Sequence, residues 1–302
     1  SNIDYEVILS KTAQSWIQEV PQSKGLTTST LKYNILANTT GVNRTAKITI
    51  KDKNNTLSDT VQVTQATEGT CTGDIIFETE QDLIDFQTAG YTKVMGNIIV
   101  QGDNIRTLQK LNNLLQEIDG NLTINCHSLT SLDGLYNLKK ITGNFITERA
   151  GITSYEGINN LTEIGGNFKV IAESSLDALA SFEGLNGLKS IGGDFEVNAK
   201  SSYYSSSSSS LDALASFEGL ESLTNIGGGR LTINKCRSLN NIDALKNIES
   251  LNDISITECS KLYDFCVLKN VVQNMSGTFY LNKNGYNPTK YQLLNGECSQ
   301  IP

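Results

Sequence analysis

The chain has 302 residues, a length that allows two domains, and its 24 Lys and Arg against 32 Asp and Glu leave a net charge of −8. This acidic balance argues against a nucleic-acid partner, because such partners select a basic face. The single histidine, His127, argues against a histidine-based catalytic or metal centre. The sequence has no run of 18 or more apolar residues, so we expect no membrane span.

Residues 1–68 contain short segments in which apolar and polar residues alternate, separated by polar turns. Ala46, Ile48 and Ile50 share one face of a predicted strand, and Val61 and Val63 share one face of the next. Several short strands at this spacing predict a small β-sandwich. The segment carries a net charge of +1, which leaves −9 on residues 69–302.

From about residue 90 a unit of 23 to 24 residues repeats along the chain. Each copy begins with Gly-Asn or a similar pair, followed by apolar, variable and apolar residues. The copies start at residues 96, 120, 143, 166, 193, 229, 252 and 277. One copy cannot bury inward residues such as Leu122 and Ile124 alone, so we expect the copies to stack with parallel strands. Asparagines such as Asn121 and Asn144 would then stack from copy to copy.

Several short motifs in the first half carry a family resemblance. They are Ser-Trp-Ile at 15–17, Lys-Gly at 24–25, Asn38, the strand at 44–50 and Val-Gln-Val-Thr-Gln at 61–65. On these motifs the segment resembles the BACON domain, an immunoglobulin-like module of surface and secreted Bacteroidetes proteins. The resemblance implies a further strand ahead of residues 2–7, and either carbohydrate binding or a spacer role.

The second half repeats Leu-x-Ser-Leu-Asp-Gly-Leu, then Leu, Ile and Gly-Asn-Phe, over residues 90 to 285. This pattern looks like the leucine-rich, receptor L-domain type of solenoid found in bacterial surface proteins and receptor ectodomains. The resemblance implies ligand recognition or adhesion, with no catalytic residues and no cofactor. Together the two resemblances imply a Bacteroidetes surface lipoprotein, lipid-anchored in its precursor, that we expect to be monomeric.

The predicted fold is therefore mainly β with some α. We expect a small Ig-like β-sandwich at residues 1–68. A right-handed leucine-rich repeat solenoid with parallel strands and a cap at each end is expected at residues 69–302.

The outward positions of the predicted strands are the candidate ligand-binding residues. One lies between the two inward residues of each repeat, and together they form a column across the sheet. The column consists of Ile99, Thr123, Ile146, Lys169, Glu196, Thr232, Ser255 and Tyr280. A sheet face that is only solvated is the alternative interpretation.

A serine-rich tract at residues 201–210 separates two identical twelve-residue segments, 174–185 and 209–220. Tyr203 and Tyr204 in this tract could stack on a sugar or a peptide. Duplication of the segment with slippage also explains the tract, without any function, and is the favoured interpretation.

The six cysteines suggest different roles. Cys266 and Cys298 flank the last repeat and are predicted to form a disulfide that closes the C-terminal end. Cys236 and Cys259 are one repeat apart, which allows a disulfide or two reduced core thiols. We favour the thiols, because parallel Cβ vectors hold the Cβ atoms beyond the ~3.8 Å that a disulfide prefers. For the linker cysteine, Cys71, the nearest candidate partner is Cys126.

An acidic run, Glu78, Glu80, Asp82 and Asp85, precedes or opens a predicted helix. Paired carboxylates can hydrolyse glycosides, but acidic residues also suit the start of any helix. We therefore predict a non-enzymatic protein that binds a protein or glycan ligand. A structural spacer is the alternative, and a glycan-acting enzyme is a more distant one.

Overall fold

The structure, a computed structural model, describes residues 5–11, 13–19, 33–36, 38, 44–52, 54, 58–65, 69–172, 178–199 and 210–300. The chain divides into two compact units, Ser1–Thr70 and Cys71–Pro302. None of the helices within these described ranges has the length and hydropathy that a membrane span requires.

The first unit contains two antiparallel sheets. Its strands are β1 (Tyr5–Leu9), β2 (Ile17–Glu19), β3 (Tyr33–Ile35), β4 (Arg44–Asp52) and β5 (Ser58–Gln65). The order β1-β4-β5 forms a three-stranded sheet, and β2 pairs with β3. The alternating residues of β4 explain the core, because Ala46 and Ile48 point inward and pack with Ala13, Trp16 and Ile17.

The regular elements of the second unit are mainly short strands. These are β6 (Thr70–Thr72), β7 (Ile75–Phe77), β8 (Lys93–Met95), β9 (Ile98–Gln101), β10 (Glu117–Asp119), β11 (Leu122–Asn125), β12 (Lys140–Ile141), β13 (Phe145–Glu148), β14 (Glu163–Ile164), β15 (Phe168–Ala172), β16 (Ser190–Ile191), β17 (Phe195–Ala199), β18 (Asn225–Ile226), β19 (Arg230–Asn234), β20 (Asp253–Thr257) and β21 (Phe279–Asn282). The described α-helices are α1 (Glu80–Thr88), α2 (Lys269–Gln273) and α3 (Lys290–Leu294), and single 3₁₀ turns lie at Gln109–Leu111, Asp243–Asn247 and Cys266–Leu268.

These strands form two large sheets. The seven-stranded sheet has the order β18-β16-β14-β12-β10-β8-β6, and the nine-stranded sheet has the order β21-β20-β19-β17-β15-β13-β11-β9-β7. From β8 to β19 the chain alternates between the sheets, so each repeat adds one strand to each. Neighbouring repeats pair in parallel, for example β8 with β10, β11 with β13, β15 with β17 and β19 with β20.

The predicted fold class, an Ig-like β-sandwich followed by a right-handed leucine-rich repeat solenoid, is wrong. The described part of the first unit has a three-stranded and a two-stranded sheet. The alternation of apolar and polar residues predicted its strands, but it does not specify which strands pair. The second unit has two large parallel sheets and few helices. The segment between successive long strands makes tight turns, with Leu135 N–H donating to the Leu132 carbonyl and Leu138 N–H to that of Leu135. It then forms a second strand, and Gly134 with a φ of 111° interrupts any helical path.

Aromatic side chains fill the centre of the second core. Phe145, Phe168 and Phe195 stack from repeat to repeat with ring centroids 5.2 Å apart. Tyr155 and Phe182 form a second stack at 5.6 Å and meet the first stack edge-on. The buried Tyr155 hydroxyl lies 2.9 Å from the hydroxyl of the equally buried Thr147, so its polar atom has a partner.

Asparagines link the repeats at the start of the long strands. The Oδ1 atom of Asn121 accepts hydrogen bonds from the backbone N–H and the side-chain amide of Asn144, at 2.7 and 2.9 Å. The same pattern joins Asn97 to Asn121, and Asn167 N–H donates to Asn144. Asp74 opens the series as an acceptor for Asn97. The predicted stacking of asparagines from copy to copy is therefore present.

The two ends of the stack are covered by short helices and turns. At the N-terminal end, Leu83 and Phe86 of α1 are buried, and Phe86 meets Phe77 edge-on at 5.4 Å. At the C-terminal end, the buried Asn284 donates to the Ile256 carbonyl at 2.8 Å and accepts from Cys259 N–H at 3.0 Å. Asn284 belongs to the last repeat and thereby satisfies two backbone groups of the repeat before it.

Candidate functional site

The outward residues of the nine-stranded sheet form one continuous column. In-register pairing places each of them beside its equivalent in the next repeat. In order across the sheet they are Ile76, Ile99, Thr123, Ile146, Lys169, Glu196, Thr232, Ser255 and Tyr280. The structure thus brings the candidate residues of the sequence prediction together on one face, which we call the outer face.

The first four residues of the outer face are β-branched. Ile76 is 49% exposed, and Ile99, Thr123 and Ile146 are half-buried beside one another. Sequence reasoning missed Ile76 because β7 precedes the first Gly-Asn pair, although Gly-Asp at 73–74 lies one repeat length before Gly96. This end of the face offers a stiff apolar strip to a ligand.

The centre of the outer face carries one ion pair. Lys169 Nζ lies 3.3 Å from Glu196 Oε2, across neighbouring strands. Glu196 also accepts a hydrogen bond from Asn198 at 3.1 Å. The two opposite charges compensate each other, so the centre of the column has no net charge.

The last three residues of the outer face carry hydroxyl groups. Thr232 and Ser255 are half-buried, and Tyr280 on the edge strand β21 is 49% exposed. Tyrosine combines a flat apolar ring with a polar tip, which suits contact with either a sugar ring or a peptide. This end is therefore chemically different from the apolar strip.

A second column lies two residues further along the same strands and was missed by sequence reasoning. Asn234 donates to Asn198 Oδ1 at 2.9 Å and accepts from the Thr257 hydroxyl at 2.8 Å. At the other end, Gln101 donates to Glu78 Oε1 at 2.7 Å. Because side chains two apart in a strand share a face, the period-two pattern could have located this column.

The acidic run predicted as a distant catalytic candidate serves the N-terminal end of α1. Asp82 accepts the backbone N–H groups of Glu78 and Thr79 at 2.9 and 2.8 Å and the Thr79 hydroxyl at 2.9 Å. These bonds lower the pKa of the Asp82 carboxyl. Asp85 accepts from Gln81 one turn away. Within this run, Asp82 therefore caps the N-terminal end of α1 together with Thr79.

The remaining predicted residues have these positions. Tyr203 and Tyr204 lie outside the described residues. His127 is exposed, at the turn after β11. Among the residues that the structure describes, no group of three or more His, Cys, Asp or Glu side chains could hold a metal ion.

The cysteines divide into one disulfide and four thiols. Cys266 and Cys298 are bonded to each other, with their Cα atoms 4.8 Å apart. Cys126, Cys236 and Cys259 are buried thiols, and Cys71 is a partly buried one. The Cys126 thiol donates to the Gly102 carbonyl at 2.7 Å, and burial raises its pKa.

The first unit is the part of the chain that matches a known protein family. Its Trp16 is 3% exposed, with the Arg44 guanidinium 4.3 Å above the ring. Residues 6–66 match the BACON family. The description of that family reads "Putative binding domain, N-terminal". No curated protein and no solved structure matches the chain.

The motif residues of the BACON unit take part in its fold. Arg44 holds the Gln65 side chain with two donors, at 3.0 and 2.8 Å, and also donates to the Leu36 carbonyl at 2.7 Å. Asn38 donates to the Gln65 carbonyl at 3.3 Å. These residues join the final strand to the loop before β4, so their hydrogen bonds give the motif a role in folding.

Proposed function

We propose that this protein is a non-enzymatic recognition or adhesion protein that binds a protein or glycan through the outer face. The observation that carries the proposal is the continuous column of nine in-register side chains from Ile76 to Tyr280. Parallel stacked repeats offer such an extended surface to a ligand, and its chemistry changes from apolar to hydroxylic along its length.

The rigidity of the face supports this proposal. The Lys169–Glu196 pair and the hydrogen bonds of Asn234 hold polar side chains in fixed positions. A ligand that binds such a face orders few side chains, so less conformational entropy opposes binding.

A location outside the cell fits this function. The Cys266–Cys298 disulfide is typical of oxidising compartments, such as the cell surface. The BACON match is compatible with either a carbohydrate-binding or a spacing role for the first unit.

A structural spacer without its own ligand is the second candidate function. It is favoured by the internal pairing of the polar groups on the face, because Glu196, Asn198, Asn234 and Thr257 bond to one another. Groups that are already satisfied do not require a ligand.

A binding screen separates the two candidates. The full chain is presented to an array of glycans and to a panel of matrix proteins, and saturable binding to at least one is expected. The double variant Thr232→Arg with Tyr280→Ala should lower the affinity for that ligand at least tenfold, because it alters the exposed hydroxylic end of the face.

The control variant is Asn225→Arg, on the exposed edge strand β18 of the other sheet. It adds the same charge away from the outer face and should leave the affinity unchanged. No saturable binding in either set would favour the spacer. Equal loss in both variants would move the binding site away from the outer face.

A further inference from the structure

Two buried thiols occupy equivalent positions in adjacent repeats. Asn234 of β19 pairs with Thr257 of β20, and a cysteine lies two residues beyond each of them, Cys236 and Cys259. The intervening residues, Lys235 and Glu258, both adopt left-handed backbone with φ of 58° and 57°. The chain therefore turns in the same way after each strand, and the two cysteines are stacked.

The local hydrogen bonds repeat as well. The Cys236 thiol lies 3.7 Å from the Asn234 carbonyl, and the Cys259 thiol lies 3.4 Å from the Thr257 carbonyl. Lys235 N–H donates to the Thr257 carbonyl at 3.0 Å, which holds the two backbones in register up to the cysteines. Both side chains are 0% exposed. A hydrogen bond with the Cys259 thiol, together with burial, raises the pKa of Cys236.

The spacing of stacked backbones is compatible with a disulfide. Neighbouring strands lie about 4.8 Å apart, within the Cα range of disulfides, roughly 4.4–6.8 Å. The same chain closes the Cys266–Cys298 disulfide across a Cα separation of 4.8 Å. The parallel Cβ vectors require a small backbone shift that brings the two Cβ atoms closer together, and the cysteines lie in turns beyond the strand ends rather than within the strands.

We propose that Cys236 and Cys259 are an oxidisable dithiol that a low-molecular-weight disulfide converts to a second disulfide between adjacent repeats. One protein thiol loses its proton to solvent and attacks the small disulfide, which gives a mixed disulfide and releases one small thiolate. The second protein thiol loses its proton and attacks the protein sulfur of the mixed disulfide. The Cys236–Cys259 bond forms, the second small thiolate leaves, and the two thiolates take up the two protons.

Access to the pair requires local opening of the stack. In the nine-stranded sheet, β20 is followed by the edge strand β21 alone, so the cysteine pair lies close to one end of the stack. Local opening costs less free energy at terminal elements than at the centre of a fold. Oxidation should therefore be slow in buffer and faster in urea below the unfolding transition.

The other two thiols have different surroundings. Cys126 donates to the carbonyls of Gly102 and Ile105, at 2.7 and 3.3 Å. Cys71 lies in β6, at the edge of the seven-stranded sheet. Of the four thiols, only Cys236 and Cys259 are therefore proposed to form a disulfide.

The test counts thiols in the full chain before and after incubation with oxidised glutathione. The protein is unfolded in iodoacetamide without reductant, and intact mass gives the number of alkylated cysteines. We expect four before oxidation and two after it, and peptide mapping should find one new cross-link, between Cys236 and Cys259. Urea below the transition should raise the rate several-fold.

Variants establish which pair reacts. Cys236→Ala and Cys259→Ala should each abolish the new cross-link, whereas Cys126→Ala, which also truncates a buried thiol, should retain it. Four alkylated cysteines after oxidation of the wild-type chain would overturn the proposal. So would a stable mixed disulfide without a cross-link, or a cross-link that includes Cys71 or Cys126.

Discussion

Asparagines at the start of four consecutive long strands, β9, β11, β13 and β15, form hydrogen bonds with one another. The side-chain amide of Asn144 donates to Asn121 Oδ1, and Asn144 Oδ1 accepts the backbone N–H of Asn167 at 2.7 Å. Its own N–H donates to Asn121. Every side chain in this series supplies an acceptor oxygen, which Asp74 and Asp253 also provide, and an asparagine adds a donor, which fits the recurrence of Gly-Asn in the sequence.

Replacing Asn144 should destabilise the second unit by about 1–3 kcal/mol. Asn144→Ala leaves the half-buried Asn167 N–H without its acceptor and removes one of the two hydrogen bonds to Asn121 Oδ1, and unmade hydrogen bonds carry that cost. The free energy of unfolding in urea measures the effect. Asn225→Ala, on an exposed edge strand, is the control, and an equal change in both variants would contradict the role of the asparagine series.

Asp74 makes the first position of the series sensitive to pH. Hydrogen bonds from the backbone and the side chain of Asn97 lower the pKa of its carboxyl. A lowered folded-state pKa contributes stability that is fully present above the unfolded value, about 3.9, and is lost as pH falls through the folded value.

The amide variant Asp74→Asn should therefore be less stable than the wild type at pH 7 and closer to it at pH 2.5. The Asn oxygen keeps the acceptor but loses the charge that strengthens the bond. Urea midpoints from pH 2.5 to pH 7 measure the difference. A difference between the two proteins that is independent of pH would contradict this explanation.

At the scale of elements, the sequence predicted the long strands better than the short ones. Inward residues such as Leu122 and Ile124 alternate and recur with the repeat, so the long strands and their parallel register could be inferred. The strands β12, β14, β16 and β18 have only two residues each, too few to show a period, and the second sheet was therefore missed. The outer face was predicted because it needs only the register of the long strands.

In the first unit, the sequence predicted the family better than the strand pairing. Its motifs identified the family correctly over residues 6–66, whereas the predicted sandwich did not match the two small sheets of the described residues. Short motifs such as Ser-Trp-Ile record which residues pack together, but strand pairing depends on long-range contacts, such as that of β1 with β4, that a local pattern does not contain.

The helix cap at the N-terminal end of the second unit gives an element-scale prediction. The Thr79 hydroxyl accepts the Asp82 N–H at 3.3 Å, and the Asp82 carboxylate accepts the Thr79 N–H in return. Thr79→Ala should lower the free energy of unfolding by about 1 kcal/mol, the usual cost of losing a capping hydroxyl. Thr79→Ser keeps the hydroxyl and should lose much less. Similar losses in urea for both variants would show that the hydroxyl does not cap α1.

At the scale of the whole molecule, the two units have separate hydrophobic cores. The first core contains Trp16, and the second runs from Phe77 to Cys298 without any tryptophan. Trp16 is the only tryptophan in the chain. Its fluorescence therefore reports unfolding of the first unit alone, while circular dichroism is dominated by the larger second unit.

A core variant in the second unit should separate the two signals. Phe168 is fully buried and stacks on Phe145 and Phe195, so Phe168→Ala should cost the second unit about 3–5 kcal/mol. The urea midpoint from circular dichroism should fall, and the midpoint from Trp16 fluorescence should stay at its wild-type value, because no residue of the first core is changed. If both midpoints fall together, the units unfold as one cooperative body, and ligand binding at the outer face would then stabilise the BACON unit as well.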